Sequence, residues 1–233
     1  MRRSHIFPEL LYRRIYGPKH TIVTFDPTLP YERKIRQGLT EPLLCDLCEG
    51  RIQQYEDYFA RFWYIERPLP EQIPVGSNAA GLTGLNYRLF KLFHISLLWR
   101  AGVSTLRDYA SVSLGPHEPR MRAQILTGTV GPDNEYQILG TLILRPGTRT
   151  PHHGLVASPS RARVDGLWHY TSLYAASLWT VVVSKTSRMR GALTESGTIT
   201  LAILDAMSVP GLKPPLRRWA QYIRTRLGRG GAA

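Results

Sequence analysis

Leu43-Leu44-Cys45-Asp46-Leu47-Cys48 joins a short apolar run to two cysteines three positions apart, and a long amphipathic stretch follows at once. They are the only cysteines in the chain. Two thiolates at this spacing on a tight turn can grip one tetrahedral ion, the form of a zinc knuckle. Cys45 and Cys48 are therefore the candidate metal ligands, with zinc as a structural cofactor. A structural zinc site needs four ligands, and no second pair is evident. His5, His20 or an acidic residue would have to complete it. The plainer reading is two half-buried thiols at a helix start. After Cys48, Ile52, Tyr55, Phe59 and Phe62 recur at spacings of three and four, and Trp63 widens the stripe. Gln53, Gln54, Glu56, Asp57 and Arg61 take the other face. This pattern predicts a helix that begins just after Cys48.

Upstream stands Ser4-His5-Ile6-Phe7-Pro8. A histidine after a short strand can serve as a general base when a neighbouring metal steadies a phosphate. Pro8, Pro18, Pro27 and Pro30 forbid a long helix in this region, and Ile22-Val23-Thr24-Phe25 reads as a strand.

Together the two motifs resemble the HNH endonuclease pattern, a treble clef. In that family an Asp-His-Ile-x-Pro-like element precedes an Asn-x-x-x-Leu-Cys-x-x-Cys element that enters a helix. His5 matches the first His, and Cys45 and Cys48 match the second zinc pair. A group of bacterial HNH-like proteins with Ser-His-Ile-x-Pro and Leu-Leu-Cys-x-x-Cys is similar over residues 4 to about 126, through Phe90–Arg100 and Leu114-Gly115-Pro116-His117-Glu118. The resemblance implies His5 as general base and a divalent cation such as Mg near Glu49 if the chain is a nuclease. Ser4 stands where the family has an acidic residue or His. Thr40 lies near the Asn position, and Glu49-Gly50 replaces the helix ligand. No cysteine pair precedes Ser4. The expectation is a shortened or degenerate member.

Beyond this start, Pro68, Pro70 and Pro74 suggest a stiff linker over 67–83, dividing a unit at 1–66 from an α+β domain at 84–233. Leu85 to Ala101 reads as a helix apolar over most of its circumference, with Gly102 suited to end it. A short helix follows Gly115-Pro116, where His117 and Glu118 could meet an anion or simply start the helix. Tyr136 to Leu144, Leu167 to Tyr174, Leu178 to Val183 and Thr198 to Leu204 read as strands. Between the first two lies a long loop, 145–165, rich in Pro, Gly, Ser, Thr and Arg, and expected to be mobile. His152-His153 is expected to be solvated there, and Arg145, Arg149, Arg161 and Arg163 are available to phosphates. Arg88 and Lys91 share one helix edge and would meet phosphates or keep that edge soluble. A basic helix over 214–228 carries Arg217, Arg218, Arg224 and Arg226, with Trp219 in its apolar stripe.

The net charge of +13 makes a polyanion the leading partner. Arg2 and Arg3 join the C-terminal arginines as candidate nucleic-acid contacts. Five Trp and twelve Tyr argue against disorder. No apolar run is long enough for an ordinary membrane span. With two cysteines and no apolar signal core, a cytoplasmic protein is expected. No Walker loop, dinucleotide fingerprint, nucleophile elbow or metalloprotease helix is present, so a small-molecule substrate is not expected. The sequence therefore reads as an α+β protein with a treble-clef-like remnant, apolar core helices, a mostly antiparallel β region and a basic C-terminal helix. Its expected function is nucleic-acid binding, as a degenerate or truncated form of a metal-dependent nuclease. The alternative is a protein-interaction component of a bacterial defence or toxin-type system without catalytic activity.

Overall fold

The computed structural model describes residues 2–17, 22–24, 33–35, 38–66, 78–184, 186, 188–209 and 212, with backbone alone at 22–24, 33–35 and 66. The expected helix at 214–228 and its four arginines lie outside the described residues, as does 67–77 of the expected linker.

The chain opens with strand β1 (Arg2–His5), a single helical turn α1 (Glu9–Tyr12), and a short ribbon of β2 (Ile22–Thr24) with β3 (Arg33–Ile35). It returns as β4 (Thr40–Leu44), antiparallel to β1, with Arg3 opposite Pro42 and His5 opposite Thr40. Helix α2 (Asp46–Arg61) follows directly and ends in a π-helical turn at Phe62–Glu66. The helix starts earlier than expected. Cys45 is its extended N-cap, and Cys48 sits in the first turn. Asp46 and Glu49 at this end, and Arg61 at the other, complement the helix dipole.

Asn86 caps α3 (Tyr87–Val103), accepting the Leu89 N–H at 3.0 Å. Every residue from Phe90 to Ala101 is buried, because the helix is enclosed on all sides. Gly102 does not end it. A Cβ there would press into the Leu114 side chain, so the glycine allows a close approach within the helix. A short 3-10 turn at Gly115–His117 leads into α4 (Glu118–Thr127), which ends on Gly128 at φ +72°. Left-handed backbone of this kind favours glycine at a helix C-terminus.

The six-stranded sheet comprises β5 (Ala79–Leu82), β6 (Gln137–Leu144), β7 (Ala157–Val164), β8 (Leu167–Tyr174), β9 (Ser177–Val183) and β10 (Ile199–Asp205). Its order is β5-β10-β6-β9-β8-β7. All pairings are antiparallel except β10 with β6. The molecule is thus α+β, with helices packed on a mostly antiparallel sheet. Ile199, Leu201 and Ile203 face inward as their alternation predicts.

Further expectations need correction. The loop expected over 145–165 is irregular at 145–156 and at the Asp165 turn, since Ala157–Val164 is the edge strand β7. The loop is also pinned: Pro151 bridges to Leu144, and the His152 N–H donates to Ile143 O at 2.8 Å. His152 is therefore buried and His153 half-buried, not solvated. Within the expected linker, Ala79–Leu82 is β5, paired to β10.

Ile52, Tyr55 and Phe59 of α2 share one hydrophobic core with α3 and the sheet, running from Ile6 to Ile203. Its centre is aromatic. Phe59 stacks on Phe93 with ring centroids 4.0 Å apart, and Trp179 meets Phe90 at 5.6 Å. His94 lies among these rings, with Nδ1 2.5 Å from the Tyr174 hydroxyl. Burial holds its pKa well below the ordinary histidine value, so the ring is neutral. Lys91, expected on a solvated helix edge, is 1% exposed. Its ammonium donates to Tyr87 Oη at 2.7 Å and to the carbonyls of Gly131 and Pro132. Burial lowers its pKa to about 8. Among the described residues no helix is long and apolar enough to cross a membrane.

Candidate functional site

The N-terminal strands and α2 bring some of the expected site residues together and keep others apart. Cys45 and Cys48 converge, with sulfurs 3.2 Å apart. Cys45 is exposed and Cys48 half-buried, and neither is in a disulfide. The Cys48 backbone N–H at the helix start draws the Cys45 thiol below its usual pKa. Its hydrogen bond with Cys45, then burial, pushes Cys48 up.

His5 sits at the far end of β1, because the register sets Arg2 against Leu44 and His5 against Thr40. Its Nε2 lies 3.4 Å from Glu9 Oε2 of α1. Neighbouring strand residues project to opposite faces. Ser4 accordingly turns inward, 2% exposed, and donates to Glu49 Oε1 of α2. Its oxygen also accepts the Leu44 N–H at 3.2 Å. The carboxylate expected to hold a divalent ion is thus engaged by Ser4. Glu56, two turns further along α2, is held by Arg100 at 2.8 Å.

Among the described residues no group of three or more His, Cys, Asp or Glu is placed to hold a metal. Cys45 and Cys48 supply half of a four-ligand zinc set, and among the described residues Glu49 belongs to no metal-holding group of three. On these described residues neither a zinc nor a magnesium centre is complete.

Several of the basic and neighbouring residues are engaged within the fold. Arg2 pairs with Asp46 on the surface, both side chains 69% exposed. Arg3 reaches Thr40 Oγ1 at only 3.4 Å. Arg88 donates to Gly128 O at 3.0 Å. His117 and Glu118 are used inside the fold. Glu118 accepts from Trp99 Nε1 at 2.7 Å, and His117 Nδ1 lies 3.1 Å from Tyr136 Oη.

A different arrangement emerges on the β7–β8 hairpin. Arg163 lies opposite Trp168, and Arg161 opposite Tyr170. Opposed residues share a sheet face. Both guanidiniums therefore lie over the Trp168 ring, at 4.9 Å for Arg161 and 5.8 Å for Arg163. The indole is 38% exposed, and both arginines are exposed. β7 is the outer strand of the sheet, so this cluster faces solvent along an open edge. Two exposed guanidiniums thus gather over one aromatic ring, with Arg163 Nε also donating to Gly166 O at 3.3 Å. Trp168 was missed as a site residue in the sequence. The signal was there in Asp165-Gly166, both at positive φ, flanked by Arg161-Ala162-Arg163-Val164 and Leu167-Trp168. An Asp-Gly pair between alternating runs is a strong hairpin signal, and it fixes which arginine faces the tryptophan.

The chain matches no protein-family model, no curated protein and no solved structure.

Proposed function

We propose that this protein binds single-stranded nucleic acid and descends from an HNH-like ancestor whose metal-dependent hydrolytic site is degenerate. The observation that carries the reading is the exposed Trp168 beneath Arg161 and Arg163, in a chain of net charge +13. Guanidiniums hold phosphates, and a guanidinium plane backed by an aromatic ring offers a flat face to unpaired bases whatever their identity.

The order β1–β4–α2, with a Cys-x-x-Cys at the helix start, supports the HNH-like descent. The Ser4–Glu49 contact supports the loss of hydrolysis, because the helix carboxylate already has a partner. In this reading His5 takes no part in binding, and the protein works in the cytoplasm.

Trp168→Ala tests the proposal. In titrations of a labelled single-stranded oligonucleotide, it is expected to weaken binding by about 1–3 kcal/mol, roughly fivefold to 150-fold. His5→Ala is expected to leave the affinity unchanged. Trp168→Ala that binds as tightly as the parent, with an unaltered thermal midpoint, would overturn the proposal.

A further inference from the structure

We propose that Cys45 and Cys48 form a reversible dithiol–disulfide site, with Cys45 the attacking thiol and Cys48 the resolving one. This reading is independent of nucleic-acid binding. Where zinc needs two further ligands, a disulfide needs none. The sulfurs are 3.2 Å apart, and bonding requires an S–S separation of about 2 Å, within reach of small side-chain rotations. The backbone holds them in place. Cys45 is extended at φ −85°, ψ 167°, and Cys48 is fixed in the first turn of α2.

Their surroundings differ in the way the two roles require. Cys45 is open to solvent, whereas Cys48 is half-buried. Both line a groove of about 310 Å³ whose walls include Ile52, Trp99 and Ile125, with Arg122 also lining it. Such a groove seats the apolar flank of an incoming disulfide, and Arg122 offers a charge to a carboxylate on it. Leu47, between the cysteines in the chain, is 86% exposed.

The substrate is a disulfide, RS–SR, of a small thiol or a peptide. Cys45 sulfur bonds to one substrate sulfur, the substrate S–S bond breaks, and one RSH departs with the proton given up by Cys45. Cys48 sulfur then bonds to Cys45 sulfur, the mixed disulfide breaks, and the second RSH departs with the Cys48 proton. The chain loses two electrons and two protons, and RS–SR becomes two RSH.

Oxidised glutathione is the probe, added to the purified full chain, with free thiols then blocked by an alkylating reagent and the intact mass measured. The parent chain is expected to lose the mass of two hydrogens, keep no glutathionyl group and resist alkylation until reduced. Cys48→Ser is expected to stop with one glutathionyl group on Cys45. Cys45→Ser is expected to react at least about tenfold more slowly than Cys48→Ser, because the remaining thiol is shielded. A parent chain that accumulates glutathionyl groups without closing the disulfide would overturn the proposal. So would two single variants that react at equal rates, or zinc bound stoichiometrically to the purified chain and protecting both thiols.

Discussion

Arg100→Leu is expected to destabilise the fold by about 3–5 kcal/mol, a large share of the stability of an ordinary domain. The Arg100 side chain is 2% exposed, and it joins three elements. It donates to His5 O at the end of β1 (2.9 Å), to Glu56 Oε1 on α2 (2.8 Å), and to Ser96 O within α3 (3.4 Å). Leucine fills part of the volume but leaves the Glu56 carboxylate, 17% exposed, without its counter-charge. The loss therefore measures a stranded charge more than a lost attraction. Replacing both members, Arg100→Leu with Glu56→Leu, is expected to recover part of it, a coupling of about 0.5–3 kcal/mol in a double-mutant cycle.

The pH dependence follows from the same pair. Burial raises the Glu56 pKa above the ordinary carboxylate value, against the opposing pull of Arg100. Without Arg100 it rises further. A carboxyl with a raised folded-state pKa is protonated first in the folded state, so stability falls as pH climbs from the unfolded value through the folded one. The deficit of Arg100→Leu against the parent is accordingly expected to be largest near neutrality and to shrink in mild acid. Urea unfolding across that range reads it directly. A deficit that is flat or grows toward acid would contradict the assignment.

Phe59→Ala is expected to cost a similar 3–5 kcal/mol, for a different reason. Phe59 is fully buried at the crossing of α2 and α3. Its ring stacks between Phe93 at 4.0 Å and Trp63 at 5.6 Å, both within 11° of parallel, and its edge meets Tyr174 and Trp179. Removing it forfeits the transfer energy of the ring and leaves a hole that rigid aromatic neighbours cannot close. Stacked pairs of this kind add about 0.5–1.5 kcal/mol beyond buried area. Phe59→Leu fills more of the space and is expected to lose clearly less. Equal losses for Ala and Leu would contradict this account, because the extra volume and area that leucine restores would then recover nothing. Chemical denaturation of the three proteins decides the point.

Much of this fold is legible because its core elements carry their own period. Ile52, Tyr55 and Phe59 announce α2, and the nearly continuous apolar run from Leu89 announces a helix enclosed on all sides. Ile199, Leu201 and Ile203 announce a strand with one buried face. The edges are harder to read for a physical reason. β7 has most of its residues exposed, so Ala157–Val164 lacks the alternation that burial imposes, and its Pro and Ser mimic a loop. β5 is four small or apolar residues that gain meaning only from pairing with β10. His152 is buried through a single backbone bridge that no local pattern encodes.

The candidate sites divide in the same way. The convergence of Cys45 and Cys48 is local and follows from their spacing. The engagement of Glu49 by Ser4 depends on β1 lying against the start of α2, which spacing alone does not supply. The Arg161–Arg163–Trp168 cluster depends on strand register. Four of the arginines expected to bind nucleic acid, Arg217, Arg218, Arg224 and Arg226, lie outside the described residues. The hairpin therefore carries the proposal.

The salt dependence of single-strand binding tests the proposal most directly. Each phosphate neutralised on a single strand contributes about −0.7 to the slope of log K against log salt. The parent protein should bind a single-stranded oligonucleotide with a steep negative slope, and Arg161→Ala with Arg163→Ala should flatten it by about 1.4, two such contacts. Parallel lines for the two proteins, or no binding by the parent at low salt, would contradict the account.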